Sequence, residues 1–206
     1  MTFAPPPETA AWRHLDSRAG FEVAYFRPLG DGHRVEGCTT AVEEGLTWIV
    51  DYAIDVDAGW ITRRAEITGR SAARSRHTIL ESDGEGRWRV DGVPAPHIDG
   101  CFDVDLESSA MTNTFPVHRM RLTVDAGSEA PAAYVRALDL VVERLEQHYV
   151  RVPDEGPVRR AIAGLRPDGS CQRYHYESPS ADFACRLVFD ASGLVLDYPE
   201  IAVRAR

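Results

Sequence analysis

LTWIVDYAIDVD, residues 46–57, places Trp48, Val50, Tyr52, Ile54 and Val56 at every second position. Successive side chains of a β-strand point to opposite faces, so these residues make one apolar face and Asp51 and Asp55 fall on the other. A helix would scatter the same residues around its circumference. The flanking segments repeat the pattern. FEVAYFRPL (21–29) is aromatic and β-branched and closes at Gly30-Asp31-Gly32, and HRVEGCTTAVEEG (33–45) leads into residue 46 through a Glu-Gly turn. WITRRAEITGR (60–70), RHTILESD (76–83) and GRWRVDGV (86–93) follow, with SDGEG (82–86) as a hairpin turn signal. CQRYHYES (171–178), FACRLVFD (183–190) and GLVLDYP (193–199) return to the pattern near the C-terminus, separated by SPSAD and ASG. Short strands at regular spacing, divided by Gly, Pro and Asp turns, predict a mainly β, antiparallel architecture.

Two stretches break the pattern. In PAAYVRALDLVVERLEQHYVRV (131–152), Tyr134, Leu138, Val141, Leu145 and His148 fall at helical spacing, although Leu138, Leu140 and Val142 also alternate. Local preference favours a helix there. GPVRRAIAGL (156–165) is a second, short helical candidate, with Pro in its first turn.

The chain has 206 residues, of which 44% are hydrophobic, enough for one sizeable core. We expect a Pro-rich, flexible lead-in over 1–11 and a single β domain over 12–206. A net charge of −9 repels phosphate backbones and anionic membrane surfaces, so nucleic acid is not expected as a partner. No apolar run reaches the roughly 18 residues of a membrane span, and the N-terminus lacks the features of a secretory signal. The four cysteines, Cys38, Cys101, Cys171 and Cys185, contain no CxxC pair. They read as reduced, mostly buried thiols of a cytoplasmic protein.

The segment GCFDVDLESSAMTNTFPVHRMRL (100–122) holds most of the polar residues from which a site could be built. Asp103 and Asp105 share a strand face, about 7 Å apart, with Phe102, Val104 and Leu106 opposite. Arg119 and Arg121 share a face by the same spacing. If 100–107 pairs with 115–122 as a hairpin, the Asp and Arg faces meet across it. An Asp-x-Asp can bind a cation or act as an acid–base pair, but the motif is common, and charges so placed more often orient one another. The intervening SSAMTNTFP suits either a connection tied by its own side chains or a polar rim around a ligand. Pro116 suits an edge or the start of a strand.

Catalytic signatures are sparse. There is no GxSxG, SxxK, HExxH or GxGxxG pattern, and the seven histidines are dispersed. No metal ligand set or cofactor is predicted, and an enzyme is the less favoured reading. Its best constellation is Asp103, Asp105 and His118, as acid and base of a hydrolase or isomerase acting on a sugar or lipid. Tyr174 and Tyr176 share a strand face and suit either packing or a pocket wall, as do the four tryptophans.

The 100–122 segment resembles the signature of the putative glycolipid-binding family of bacterial proteins. The resemblance is carried by Gly100, Cys101, Asp103, Val104, Asp105, Thr112, Asn113, Thr114, Pro116 and Arg119. GLVLDYPEIAVR (193–204) is similar to the family's closing segment, and LEQHY, YHYES and WIVDYAID with Trp60 support it. The likeness spans Trp12 to Arg204. It implies a strongly curved antiparallel sheet or incomplete barrel with one or two short helices, similar to the periplasmic carriers that shield lipoprotein acyl chains. It also implies strands over 131–152, and it brings no catalytic residues. The expected function is binding of a glycolipid or other amphipathic small molecule on the concave face. Thr112, Asn113, Thr114 and Arg119 would meet or position the head group, Asp103 and Asp105 would hold Arg119, and Trp60, Tyr174 and Tyr176 would line the apolar part.

Overall fold

The computed structural model describes residues 3–16, 18–154 and 171–205. The early strands are β1 (Thr9–His14), β2 (Ala19–Leu29), β3 (Gly32–Glu43), β4 (Leu46–Val56), β5 (Thr62–Ser71), β6 (Ser75–Ser82), β7 (Trp88–Val90) and β8 (Val93–Pro94). Then come β9 (Asp103–Leu106), helix α1 (Thr114–Met120), β10 (Gly127–Glu129), β11 (Ala132–Val135), β12 (Val142–Leu145) and β13 (His148–Val152). The chain closes with β14 (Gln172–Ser178), β15 (Phe183–Phe189), β16 (Val195–Tyr198) and β17 (Ala202–Ala205).

Fourteen of these strands form one sheet in the order β10-β13-β14-β15-β16-β17-β1-β2-β3-β4-β5-β6-β7-β8. The terminal strands β10 and β8 do not pair, so the sheet stays open, an incomplete barrel. Pairing of β1 with β17 joins the two ends of the chain in mid-sheet, as in Trp12 opposite Arg204. Turn chemistry sets the register as expected. Glu44 and Gly45 both take positive φ between β3 and β4, the geometry that a two-residue hairpin turn needs. Asp83 Oδ1 gathers the N–H groups of Glu85 and Arg87 between β6 and β7. The face predicted for residues 46–57 is the buried one: Trp48, Val50, Tyr52, Ile54 and Val56 are each at most 4% exposed.

Four expectations are corrected. The hairpin between 100–107 and 115–122 does not form, because residues 114–120 are helical. β9 pairs instead in parallel with β11, which pairs antiparallel with β12, giving a second, three-stranded sheet. Pro116 lies in the first turn of α1, where the backbone N–H groups have no helical partner to lose. The local helix preference over 131–152 gives way to β11, β12 and β13. Pairing on both sides of β11 and a left-handed Leu140 outweigh propensity. Finally, β1 begins at Thr9, so the last residues of the expected lead-in belong to the sheet. The helical candidate at 156–165 falls outside the described residues.

The 108–118 segment is buried throughout and fills the inside of the curved sheet. Met111 and Phe115 pack with Trp12, Val50, Ile54 and Ile67 in one core cluster, and Val117 joins Tyr149, Tyr174 and Phe189 in a second. Both clusters enclose α1 over residues 114–118, and only Arg119 and Met120 at its end reach partly into solvent.

Candidate functional site

Enclosing a polar segment requires partners for its groups. Glu22, fully buried on β2, supplies several. It accepts the hydroxyl of Tyr52 at 2.7 Å, the N–H of Ala110 at 2.8 Å and the Ser109 hydroxyl. Burial pushes its carboxyl above the usual range, and these donors oppose the shift. Tyr52 reaches Glu22 because its ring lies over Gly37, its cross-strand partner, where an added Cβ would stand 2.2 Å from the ring. Gly37→Ala should displace the ring and strip a donor from Glu22, lowering stability by about 2 kcal/mol in urea unfolding. An unchanged midpoint would refute this account of Gly37.

The 100–122 charges meet, though by another route than a hairpin. Arg119 on α1 grips Asp103 on β9, with Nη2 at 2.5 Å and Nε at 3.2 Å from its oxygens. Asp105 does not hold Arg119. Its carboxylate accepts the Thr112 hydroxyl and the Gln147 amide, each at 2.6 Å. Burial is the main influence on both acids and raises their pKa, with these partners drawing them back. Gln147 also donates to the Tyr176 hydroxyl at 3.1 Å, and Tyr149 donates to Asn113 Oδ1 at 2.8 Å.

Above this network lies a half-open cleft of about 570 Å³, between the small sheet and β14–β17. Asp105, Ser109 and Asn113 contribute to its polar lining, and Tyr176, Phe183, Tyr198 and Ile201 to its apolar lining. Tyr176, Phe183 and Tyr198 form an aromatic triangle with centroids 6.1–6.2 Å apart. Arg18, Glu107, Tyr134, Arg136, Glu143 and Arg144 also line the cleft. Among the described residues, no group of three His, Cys, Asp or Glu side chains could hold a metal ion.

The expected site residues therefore separate. Asp105, Asn113 and Tyr176 line the cleft. Asp103, Thr112 and Arg119 brace its floor, Thr114 is buried, and Tyr174 packs in the second core cluster. Trp60 stacks on His118 at 3.8 Å, away from the cleft lining. His118 donates from Nε2 to the Ser192 carbonyl at 2.9 Å, and burial lowers its pKa to about 4. The proposed acid–base trio is thus divided between the cleft, an ion pair and a buried stack. All four cysteines are free, but only Cys101 is fully buried. Burial raises the Cys38 and Cys101 thiols to about 11 and Cys185 to about 12, which keeps them protonated.

Sequence reasoning missed Glu22, Tyr52 and Tyr198 as functional or supporting residues, while Ser109 lay within the segment read as a polar rim. For Glu22 the available signal was its place on one face of β2 with Ala24 and Phe26, all three buried.

An open β-sheet folded around its own buried polar segment, with an amphipathic cleft beside it, belongs among barrel-like β proteins. Residues 9–204 match the family model described as Putative glycolipid-binding, and the chain belongs to that family. Among solved structures it is similar to a DUF1089 family protein from Pseudomonas aeruginosa. They share 31% identity and a TM-score of 0.73, over 89% of this chain and 92% of that one. It is also similar to a β-barrel-like protein of domain of unknown function DUF1849 from Brucella abortus. There the identity is 10% and the TM-score 0.55, over 98% of this chain and 96% of that one, a likeness of fold alone. No curated protein matches.

Proposed function

We propose that the protein binds a glycolipid or similar amphipathic small molecule in the cleft between its two sheets. The observation that carries this reading is the cleft itself. Its volume of about 570 Å³ is in the range of small-molecule sites, and it sets an aromatic triangle beside fixed hydrogen-bonding groups. The apolar tail lies against Tyr176, Phe183 and Tyr198, and the hydroxyls of the head group meet Asp105, Ser109 and Asn113. Asp103, Thr112 and Arg119 act by holding that floor in place. Much of the concave face is occupied by 108–118, which moves the ligand from the centre of the curve to its side. No helix among the described residues is long and apolar enough to cross a membrane. The free cysteines are compatible with a reducing compartment, and a cytoplasmic location is part of the same proposal.

Calorimetric titration with alkyl glucosides of increasing chain length, kept below micelle formation, tests the reading. Each buried methylene contributes about 0.8 kcal/mol, so affinity should rise roughly fourfold per carbon and then level off as the cleft fills. Phe183→Ala should flatten the rise. Affinities that ignore chain length, or no binding at all, would defeat the proposal.

A further inference from the structure

We propose that the cleft selects an amphiphile bearing an oxyanion, a phosphate, sulfate or carboxylate, and that Arg18 is the residue that binds it. The inference rests on the cleft being a ligand site, as proposed above, and adds the charge of what it takes.

Arg18 stands in the turn between β1 and β2 and lines the cleft. Its side chain is only 7% exposed, and Nε and Nη1 have no hydrogen-bond partner. Its carboxylate partner is Glu43, in a loose, part-exposed ion pair at 3.9 Å that is too long for a hydrogen bond. The other Glu43 oxygen takes the Trp48 indole N–H at 3.2 Å. The guanidinium rests over the Trp48 ring at 5.3 Å, which holds it in place without satisfying its donors. A buried cation with open donors is costly, and guanidinium suits a planar or tetrahedral oxyanion better than any other group.

The other charges of the cleft are already committed. Both Asp105 oxygens are taken by Thr112 and Gln147. Glu107 accepts the Ala137 N–H at 2.7 Å, and Arg136 faces Glu107 and Glu143 at 3.7 and 3.4 Å. Arg144 is paired with Glu146 at 2.5 Å and donates to the Asp99 carbonyl. Only Arg18 among these charges lacks a hydrogen bond to its side chain. Ser178, also buried and lining the cleft, has an unpartnered hydroxyl that adds a second donor.

The test compares three probes by calorimetry on the full chain: dodecyl phosphate, dodecyl maltoside and inorganic phosphate, the detergents below micelle formation. Wild type should bind dodecyl phosphate at least tenfold more tightly than dodecyl maltoside. Arg18→Gln should weaken dodecyl phosphate by ten- to a hundredfold and leave dodecyl maltoside unchanged. Arg18→Lys, which keeps the charge but not the fork, should fall between. Arg186→Gln, an exposed position outside the cleft lining, should match wild type. Thermal melts should show ligand-free Arg18→Gln to be at least as stable as wild type, since it relieves an unsatisfied buried charge. Equal affinities for the two detergents, or equal losses for both in Arg18→Gln, would overturn the oxyanion assignment while leaving the binding site intact. Inorganic phosphate binding as tightly as dodecyl phosphate would overturn the amphiphile as its source. No binding of either detergent would defeat the cleft as a ligand site and this proposal together.

Discussion

Replacing Arg119 with Met should lower the unfolding free energy at neutral pH by about 3–5 kcal/mol, because it leaves Asp103 charged and unpaired in the interior. The Asp103 side chain is 2% exposed and that of Arg119 18%, so both lie largely out of water. The pair also ties α1 to β9, the element that carries Asp105 into the cleft. The penalty should depend on pH with a definite sign. Without Arg119, the folded pKa of Asp103 rises further above its unfolded value. The acid then contributes stability that is present at low pH and lost as pH rises through the folded value. The deficit of Arg119→Met should therefore be smaller at pH 5 than at pH 8. Removing both charges as Asp103→Leu with Arg119→Met should recover most of the loss, since an apolar pair of similar volume avoids the desolvation cost. Urea unfolding of the single and double variants at both pH values measures all of this. A single variant as stable as wild type at pH 8 would show that the pair contributes nothing to folding.

The strands were legible because burial on one face writes a two-residue period into the chain, and residues 46–57 do so without ambiguity. Partnership was less legible. In FEVAYF the bulkier alternation is Phe21, Val23 and Tyr25, yet Phe21 and Tyr25 are 39% and 49% exposed, whereas Glu22, Ala24 and Phe26 point inward. That phase is shared with β1 and β3, and the inward Glu22 is satisfied by Tyr52, Ser109 and Ala110, partners that no local pattern contains. The 108–118 segment misled for a related reason. Small polar side chains ordinarily mark a surface connection, since a buried one needs a partner for each group. Here the partners come from β2, β9 and β13, while the buried hydroxyls of Ser108 and Thr114 have none. Asp103 and Arg119 were correctly seen as a pair, because opposite charges in one short segment tend to meet whether a hairpin or a helix brings them together. Arg18 left no trace in the pattern, as its open donors are a property of the three-dimensional neighbourhood.

Acid should destabilise the fold between pH 6.5 and 4, and two buried histidines should account for most of the effect. Burial lowers His14 and His118 to about 4, so both are neutral in the folded state and become charged on unfolding below 6.5. A depressed histidine pKa contributes stability that is complete above the unfolded value and is lost as pH falls toward the folded one. Each shift corresponds to about 3 kcal/mol over that window. Glu22, Asp103 and Asp105 act in the opposite sense. Their raised values mean that folding favours their protonated forms, so a falling pH returns some stability and blunts the loss. His14 is the cleaner residue to change. Its ring faces only the Ile201 backbone and the Arg18 charge and makes no well-formed hydrogen bond, whereas His118 stacks on Trp60 and donates to Ser192. At Gly193, across from His118, a Cβ would stand 2.3 Å from its Nε2, so that ring is built into its surroundings. His14→Leu should keep the neutral-pH stability close to wild type and remove about half of the acid-dependent loss. Urea midpoints at pH 7, 6, 5 and 4.5 give the comparison. Parallel profiles for wild type and variant would show that His14 titrates alike in the folded and unfolded protein, and the acid sensitivity would then have to come from elsewhere.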